Sequence, residues 1–340
     1  MYWAVIMAGG NGTRFWPLST TEHPKQFLSL IGNKTPVESC LERLSGVVPQ
    51  ERTYIVASES HRTALRMVLP EFPEDQILWE PVGRNTAPCI GLATQTILAR
   101  DPEAVIGVFP SDHYVSDKAA FSECLKAAYH AALGKIVLLG IVPTRPETGY
   151  GYIETGNAVS GIDGVYHVAS FREKPDTATT QVYFESGKFL WNSGMFIFEA
   201  RVMFEEMLAY VPQIVHGIEK IVINPSCIED EFPRLLSISI DYAVMEHTQR
   251  AVVMKASFPW DDLGTWDSIA RYYPMDGEGN AIRGKATLVE CSGVFAYAED
   301  TRRVAVLGMK DVIVVSTQDA VLVIPAERAQ DVRRIVSVVE

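Results

Sequence analysis

The sequence predicts an α/β protein in which a doubly wound sheet is followed by a small all-β domain. Three observations lead to this prediction. Short β-rich apolar runs alternate with amphipathic stretches as far as about residue 141, the pattern loosens up to about residue 275, and five short apolar runs then recur about every ten residues. Strands that alternate with long helices are typical of β-α-β units, whereas closely spaced short strands are typical of an all-β domain.

The first half of the chain predicts five strands joined by four helices. Each helix is long enough to make the crossover that two parallel strands require. The strands are predicted at Trp3–Met7, Tyr54–Ala57, Ile77–Glu80, Val105–Phe109 and Ile136–Ile141, and the helices at Pro36–Val47, Ser60–Leu69, Thr86–Arg100 and Ala119–Leu133.

The second half extends the same sheet and then starts a second domain. Strands are predicted at Gly151–Thr155, Val165–Phe171 and Phe189–Phe198, with a helix from Asp176 and further helices to about Glu246. The glycine-containing segment Asp276–Asn280 is interpreted as a linker between residues 1–275 and residues 282–340. The second domain is predicted to contain five strands, Lys285–Cys291, Gly293–Tyr297, Arg303–Leu307, Val312–Ser316 and Ala320–Ile324, and a closing helix from Ala326.

Composition and charge exclude several classes of function. The 340 residues carry 30 Lys and Arg against 42 Asp and Glu, a net charge of −12, which disfavours binding to nucleic acid. Five widely spaced cysteines without a C-x-x-C pair indicate neither a zinc site nor a disulfide framework and favour the cytoplasm. No apolar run predicts a membrane span. An anionic ligand should therefore meet a nest of backbone N–H groups, a few cations or a bound metal.

A glycine-rich loop, A-G-G-N-G-T-R at residues 8–14, follows the first predicted strand. Glycines let a backbone approach a ligand closely and turn its N–H groups toward phosphate oxygens. Two familiar phosphate motifs are absent, because Phe15 stands where a dinucleotide fingerprint needs glycine and no Gly-Lys-Ser/Thr occurs. The loop is either a different phosphate-binding loop or a flexible turn.

Further motifs follow this loop in a characteristic order. They are F-W-P-L-S at 15–19, P-K-Q-F at 24–27, E-P-V-G-R-N-T-A-P at 80–88, P-S-D-H at 110–113, G-Y-G-Y-I at 149–153, F-R-E-K-P at 171–175, W-N-S-G-M-F at 191–196 and W-D-D-L-G-T-W at 260–266. Together they resemble the sugar-1-phosphate nucleotidylyltransferases, and specifically the mannose-1-phosphate guanylyltransferase family. The blocks span residues 5 to about 270.

The resemblance implies a fold and a reaction. The fold would be the Rossmann-like mixed sheet of the nucleotide-diphospho-sugar transferases, with a C-terminal domain that resembles a short left-handed β-helix. The reaction would convert GTP and α-D-mannose 1-phosphate to GDP-mannose and pyrophosphate by Mg²⁺-dependent in-line attack. Longer members carry a phosphomannose isomerase domain, and isomerase activity is not predicted here. A homodimer is a further expectation, with no membrane and no nucleic acid as partners.

The resemblance also implies roles for individual residues. Arg14 and Lys25 would bind the triphosphate, and Lys174 would bind the phosphate of the sugar 1-phosphate. The metal ligands would be Asp112 and Asp262, which suits Mg²⁺ because this ion takes one or two carboxylates plus phosphate oxygens and waters. Nucleotide contacts would come from Gly9, Gly10, Gly12, Thr13, Glu80, Asn85, Thr86 and Ser111, and sugar contacts from Gly151, Glu173 and Asn192.

Some of these roles can also be argued from the residues. Guanine presents two N–H donors side by side, and the carboxylate of Glu80, at the end of a predicted strand, could accept both. Asn85 and Thr86 could face the base or ribose, or could simply cap the helix that follows. Asp241 is expected to cap a helix rather than to contact sugar, and His113 is expected to be structural.

Three other functions compete with this interpretation. The same chemistry could use glucose 1-phosphate or another hexose 1-phosphate. A glycosyltransferase of related fold would usually carry an Asp-x-Asp metal motif, whereas residues 110–114 read P-S-D-H-Y. A catalytically silent subunit that senses a sugar nucleotide is disfavoured because the chemistry-bearing residues of the motifs are all present.

Overall fold

The protein is described here by a computed structural model of residues 1–10, 12–20, 23–299 and 301–339. The strands of the larger, N-terminal part are β1 (Tyr2–Met7), β2 (Thr53–Ser58), β3 (Ile77–Glu80), β4 (Val105–Pro110), β5 (Tyr114–Val115), β6 (Ile136–Ile141), β7 (Tyr152–Ala158), β8 (Val165–Arg172), β9 (Phe189–Glu199), β10 (Ala251–Lys255) and β11 (Trp260–Asp261). Its helices are α1 (Pro36–Leu44), α2 (Arg62–Val68), α3 (Thr86–Arg100), α4 (Lys118–Ala131), α5 (Thr177–Ser186), α6 (Ala200–Tyr210), α7 (Pro212–Ile223), α8 (Ile228–Glu231) and α9 (Trp266–Ala270).

Within these residues, nine strands form one mixed sheet in the order β3-β2-β1-β4-β9-β6-β10-β8-β7. The neighbours β1, β2, β3 and β4 run parallel, as the alternating pattern predicts, whereas β9 pairs antiparallel with both β4 and β6. The predicted α/β fold with a mixed, doubly wound sheet is confirmed. The short strand β10 is not among the predicted strands, and it pairs parallel with β6.

Helices cover both faces of this sheet, so its central strands are buried on both sides. Strands β2 and β6 have no exposed residue, which explains their continuous apolar sequences. One apolar cluster includes residues of α3, α6 and α7, and a second includes residues of α1 and α4. Helix α1 begins with a capping box between Thr35 and Glu38 and has Pro36 at its first position, a combination that favours a helix start.

The smaller, C-terminal part is built from two further sheets. Its elements are β12 (Ala281–Arg283), β13 (Lys285–Val289), β14 (Phe295–Ala298), β15 (Arg303–Leu307), β16 (Val312–Ser316), β17 (Val321–Pro325) and α10 (Val332–Val339), with a 3-10 helix at Ala326–Asp331 before α10. The sheet orders are β12-β14-β16-β17 and β13-β15. The five predicted strands are present, and β12 is an addition. The boundaries 1–275 and 282–340 remain a prediction.

A third apolar cluster joins the two parts of the chain. It contains Phe15 and Trp266 from the N-terminal part and Phe295, Ile313 and Val315 from the C-terminal sheet. The Trp266 indole N–H also donates to the backbone oxygen of Trp16 at 3.1 Å. The C-terminal sheet therefore packs against the segment that follows the glycine-rich loop. Among the described residues, no helix has the length and apolar character needed to cross a membrane.

Candidate active site

The glycine-rich loop leaves β1 at the carboxyl edge of the parallel strands, where ligands of open α/β sheets bind. Gly12 has a φ of 60°, and a Cβ at this position would lie 2.6 Å from the Cβ of Lys25. Only glycine fits there without displacing the neighbouring segment. Residues Thr13–Phe15 then form a 3-10 turn whose Phe15 side chain is buried. Asn11 of the predicted motif lies outside the described residues.

A cavity of about 370 Å³ lies beside this loop. It is lined by six of the predicted site residues together with three neighbours: Gly12, Thr13, Arg14, Lys25, Asp112 and Asp262, with Phe15, His113 and Gly264. The Arg14 side chain is exposed and has no ion pair with any described residue. We call this space the loop cavity. It combines a free guanidinium with two carboxylates, a combination suited to a polyphosphate and a divalent cation.

Lys25 connects the loop cavity to both predicted metal ligands. The residue is only 4% exposed, and its Nζ donates to Asp112 Oδ2 at 3.0 Å and to the Asp262 backbone oxygen at 2.7 Å. Burial by itself would raise the pKa of Asp112, but the Lys25 charge and hydrogen bond outweigh it and lower the pKa to about 2. Asp112 is therefore an ionised carboxylate at neutral pH.

A short two-stranded pairing brings Asp112 and Asp262 to the same cavity. Strand β5 pairs antiparallel with β11, with Tyr114 opposite Asp261, so residues far apart in sequence become neighbours. Asp262 Oδ1 accepts hydrogen bonds from the Tyr150 hydroxyl at 2.7 Å and from the Gly264 N–H at 3.0 Å. These two bonds orient the Asp262 carboxylate.

The donor set of this pair suits one class of cation. No group of three or more His, Cys, Asp or Glu side chains that could hold a metal occurs in the described residues. A cation here would therefore take two protein carboxylates and complete its shell with phosphate oxygens and waters. That sparse set of hard oxygen ligands fits Mg²⁺.

His113 lies beside this pair and packs edge-on against Trp260. Its Nδ1 accepts the indole N–H of Trp260 at 3.2 Å, and burial lowers its pKa to about 4. The imidazole is therefore neutral at physiological pH and adds no charge to the cavity.

Glu80 ends β3 and lies against the glycine-rich loop. The residue is 4% exposed, and its Oε1 has no hydrogen-bond partner among the described residues. A Cβ on Gly9 would lie 3.2 Å from the Glu80 Oε2, which shows how closely the loop approaches the carboxyl group. Burial raises the pKa of Glu80 to about 7. A buried acceptor without a partner is energetically unfavourable and suits a ligand that supplies the missing donors.

The remaining predicted nucleotide contacts lie in different places. The Asn85 side chain accepts from the Thr86 N–H at 2.8 Å and caps α3, which is one of the two alternatives that the sequence leaves open. The Thr86 hydroxyl accepts from the Ile240 N–H, and Thr86 lines the sugar-side cavity described next rather than the loop cavity. Ser111 is 2% exposed, and its N–H donates to the Met7 oxygen.

A second cavity, of about 190 Å³, contains all three predicted sugar contacts. We call it the sugar-side cavity. Gly151, Glu173 and Asn192 line it, together with Thr86 and Asp241. A Cβ on Gly151 would lie 2.4 Å from Glu173 Oε2, and the Asn192 N–H donates to the Gly151 oxygen at 2.8 Å. Glycine at 151 thus leaves room for the Glu173 carboxylate.

The expectation that Asp241 caps a helix is wrong. The short π-helical turn Asp241–Met245 has no side-chain cap, and the Asp241 carboxylate instead accepts from Asn192 Nδ2 at 2.8 Å inside the sugar-side cavity. Burial and the nearby Glu173 charge raise the pKa of Asp241 to about 7. The sequence around Asp241 carries no signal for this role, because its partner Asn192 comes from β9.

Glu173 and Lys174 lie at the rim between this cavity and a third one. Lys174 Nζ donates to Glu173 Oε1 at 2.7 Å, whereas Glu173 Oε2 is buried without a partner in the described chain. Lys174 has a φ of 44°, in the left-handed region. Burial by itself would lower the pKa of Lys174, but the hydrogen bond to Glu173 outweighs it and raises the pKa, so Lys174 is a cation.

The third cavity, of about 390 Å³, lies between the two parts of the chain. Four cations line it, Arg14, Arg145, Lys174 and Arg271, together with four carboxylates, Glu147, Asp262, Asp267 and Glu327. We call it the cation-lined cavity after its four basic side chains, and the 3-10 helix from Ala326 forms another part of its wall. The sequence reasoning missed Arg145 and Arg271. Asp262 and Tyr150 line both this cavity and the sugar-side cavity, and Asp262 also lines the loop cavity. Asp262 is therefore the point where all three spaces meet.

Comparison with known proteins identifies the family of this chain. Residues 3–276 match the family described as Nucleotidyl transferase, and residues 284–338 match the MannoseP isomerase/GMP-like beta-helix domain. The chain belongs to the nucleotidyl transferase family. The predicted β-helix-like character of the C-terminal domain is supported by the second match.

Individual relatives are similar over nearly the whole chain. A putative mannose-1-phosphate guanylyltransferase of Vibrio cholerae is 40% identical over 99% of this chain and 74% of its own length. Mannose-1-phosphate guanylyltransferase RfbM of Salmonella typhimurium is 41% identical over 98% of this chain and 71% of its own length. These relatives confirm the resemblance seen in the motifs.

A solved structure is also similar along its full length. It is described as a mannose-1-phosphate geranyltransferase from Thermus thermophilus and is 36% identical, with a TM-score of 0.90. The similarity covers 99% of this chain and 98% of that one.

Proposed function

We propose that this enzyme makes GDP-mannose and pyrophosphate from GTP and α-D-mannose 1-phosphate. The observation that carries the proposal is the position of Asp262, where the loop cavity, the sugar-side cavity and the cation-lined cavity meet. A group that joins a nucleotide to a sugar phosphate must act at such a junction. The names of the relatives supply the identity of the nucleotide and the sugar.

The nucleophile needs no general base from the protein. A phosphate monoester has its second pKa near 6 and is mostly dianionic at pH 7. The chain's own residues then have to hold two anions in line and offset their repulsion. Arg14 would bind the triphosphate, and Lys174 would bind the sugar phosphate. Lys25 keeps the Asp112 carboxylate ionised and in position.

Mg²⁺ is part of the proposal. Asp112 and Asp262 would hold it, and the bound ion would supply positive charge to the phosphates during the reaction. Glu80 would accept the two N–H donors of guanine, which would satisfy its partnerless Oε1. Glu173, Asn192 and Asp241 would bind the sugar hydroxyls. We also propose a cytoplasmic enzyme, because its five cysteines are free thiols and four of them are buried.

Pyrophosphate release tests this function directly. The purified chain is assayed with four nucleoside triphosphates against mannose 1-phosphate and glucose 1-phosphate in the presence of Mg²⁺, and the sugar nucleotide is identified by mass. We expect the highest kcat/KM with GTP and mannose 1-phosphate. Preference for glucose 1-phosphate would overturn the sugar assignment. Failure to release pyrophosphate from any pair would overturn the reaction itself.

A further inference from the structure

Gln26 is a buried side chain that the proposed reaction does not use. It lies in the 3-10 helix Lys25–Phe27 and is only 3% exposed. Its Nε2 donates to the Ala8 backbone oxygen at 2.9 Å and to the Gly10 backbone oxygen at 2.8 Å. Both amide hydrogens of one side chain are thus directed at carbonyls of the glycine-rich loop.

The bond to the Ala8 carbonyl determines the direction in which the next N–H group of the loop points. In a planar trans peptide the C=O and the following N–H point in opposite directions. Because the Ala8 carbonyl points toward Gln26, the Gly9 N–H points away from it. No hydrogen bond within the described residues uses the N–H of Gly9 or Gly10. These donors are therefore unused by the backbone and side chains that the structure describes.

The loop has few other contacts at this point, among them the buried His61 side chain against the Ala8 backbone. The Ala8 N–H donates to Val56 at the end of the strand pairing, and beyond it the chain contains two consecutive glycines, which have no side chains to pack. Glycines are the residues with the widest choice of backbone conformation. A loop of this composition would sample other peptide orientations unless its carbonyls were held.

The segment that carries Gln26 is itself firmly anchored. Lys25 reaches Asp112 and the Asp262 backbone on one side, and Phe27 packs in the apolar cluster of α1 on the other. The backbone of Lys25 lies so close to Gly12 that a Cβ on Gly12 would come within 2.8 Å of the Lys25 nitrogen. Because this segment is held in place, the Gln26 amide can hold the loop in a defined position.

We propose that Gln26 is a positioning residue that holds the glycine-rich loop in the conformation that binds the phosphates of the nucleotide. The proposal rests on the proposed function, because it assumes that the loop binds a nucleoside triphosphate. In this proposal Gln26 acts through the loop and not by contact with either substrate. Its contribution is the orientation of backbone donors, which would otherwise have to be ordered when the ligand binds.

Gln95 offers a matched control. It is also a buried glutamine of the same sheet-and-helix part, 7% exposed, and its Nε2 donates to one backbone oxygen, that of Val215, at 3.3 Å. It lies on α3 about 15 Å along the helix axis from Asn85, in the interface with α7. Gln26→Met and Gln95→Met thus remove comparable buried amides, one at the loop and one away from it.

The test measures steady-state kinetics and inhibition for the wild type, Gln26→Met, Gln95→Met and Gln26→Glu. We expect Gln26→Met to raise the KM for GTP about tenfold or more, as for the loss of one or two hydrogen bonds. The KM for mannose 1-phosphate and the inhibition constant of guanosine, which has no phosphate, should change by less than about twofold. Gln95→Met should change none of the three. Gln26→Glu should act in the same direction as Gln26→Met, because a carboxylate has no donor for the two carbonyls.

The outcomes separate this proposal from the proposed function. If the wild type neither binds GTP nor releases pyrophosphate from it, both are overturned. If the wild type is active but Gln26→Met and Gln26→Glu have the same KM for GTP as the control Gln95→Met, only the role of Gln26 is overturned. An equal rise in the guanosine inhibition constant also contradicts it, since the effect would then not depend on the phosphates. Unfolding midpoints of the two methionine variants show whether both are folded at the assay temperature.

Discussion

Asp112 lines the loop cavity and Asp241 lines the sugar-side cavity, and their carboxyl groups have pKa values on opposite sides of the usual range. Against the effect of burial, Lys25 lowers the pKa of Asp112 to about 2, whereas burial and the charge of Glu173 raise that of Asp241 to about 7. The loop cavity thus holds a fixed anion beside cations, whereas the sugar-side cavity holds one carboxyl group, that of Asp241, that can carry a proton near neutral pH.

This difference matches the chemistry that each side would handle. Phosphates and a divalent cation require permanent charges of both signs, so a carboxylate there must stay ionised. Sugar hydroxyls are neutral and both donate and accept hydrogen bonds, so a carboxyl that exchanges its proton near pH 7 suits them. Substitutions on the two sides should therefore differ in size and in the substrate that they affect.

The largest effect is expected from the two carboxylates of the loop cavity. Asp112→Asn or Asp262→Asn should lower kcat at saturating Mg²⁺ by about a hundredfold or more, on the order of 3 kcal/mol, because each removes a charged ligand of the proposed ion. Pyrophosphate release measured against Mg²⁺ concentration checks this. Asp230→Asn, at an exposed position of α8, is the control and should behave like the wild type. A near wild-type kcat in either variant would refute the metal assignment.

A smaller effect is expected from Glu80, the residue proposed to bind guanine. Glu80→Gln should raise the KM for GTP about ten- to a hundredfold, or about 1.5–3 kcal/mol, since one of its acceptors becomes a donor. The KM for ATP should change much less, and the ratio of the two constants is the measurement. An unchanged preference for GTP would remove Glu80 from the base site.

The same carboxyl group should make GTP binding depend on pH. With its pKa raised to about 7, Glu80 becomes ionised as the pH rises from about 6 to 8, so the wild type should bind GTP more tightly over that interval. The terminal phosphate titrates in a similar range, so the readout is the difference between the wild type and Glu80→Gln. Parallel pH profiles for the two proteins would contradict this expectation.

Stability provides an independent check on Glu80. A carboxyl group whose pKa is higher in the folded than in the unfolded protein contributes to stability at pH values below its unfolded-state pKa. That contribution is lost as the pH rises through its folded-state pKa. For Glu80 the loss falls between about pH 4.5 and pH 7. At pH 8, Glu80→Gln should therefore have an unfolding midpoint at least as high as the wild type, so weaker GTP binding in that variant would not reflect unfolding.

The smallest effect is expected on the sugar side. Asp241→Asn should raise the KM for mannose 1-phosphate by about tenfold, or about 1.4 kcal/mol, because its amide can still accept from Asn192 but offers the sugar a donor in place of a carboxyl oxygen. The KM for GTP should stay constant. A rise in the KM for GTP, with no change in the KM for mannose 1-phosphate, would contradict the proposed contact between Asp241 and the sugar.

The two sides also differ in how far they can be predicted. The glycine-rich loop, Arg14 and Lys25 lie within residues 8–25, and their chemistry follows from a contiguous segment after a strand. The sugar-side cavity combines side chains from separate strands and turns, and the prediction that Asp241 caps a helix fails because its partner cannot be inferred from nearby residues. Arg145 and Arg271 escape prediction for the same reason, since each reaches the cation-lined cavity from a different segment.

The sequence by itself determined the α/β class, five strands and four helices of the first half, the loop after β1 and the strand that ends at Glu80. These features depend on local periodicity, glycine content and position along the chain. Only the tertiary structure decided that β9 lies between β4 and β6, that β5 pairs with β11, and that Asp262 stands where three cavities meet. The physical reason is that long-range pairing depends on which buried surfaces fit together, and burial then sets the pKa values of Glu80 and Asp241.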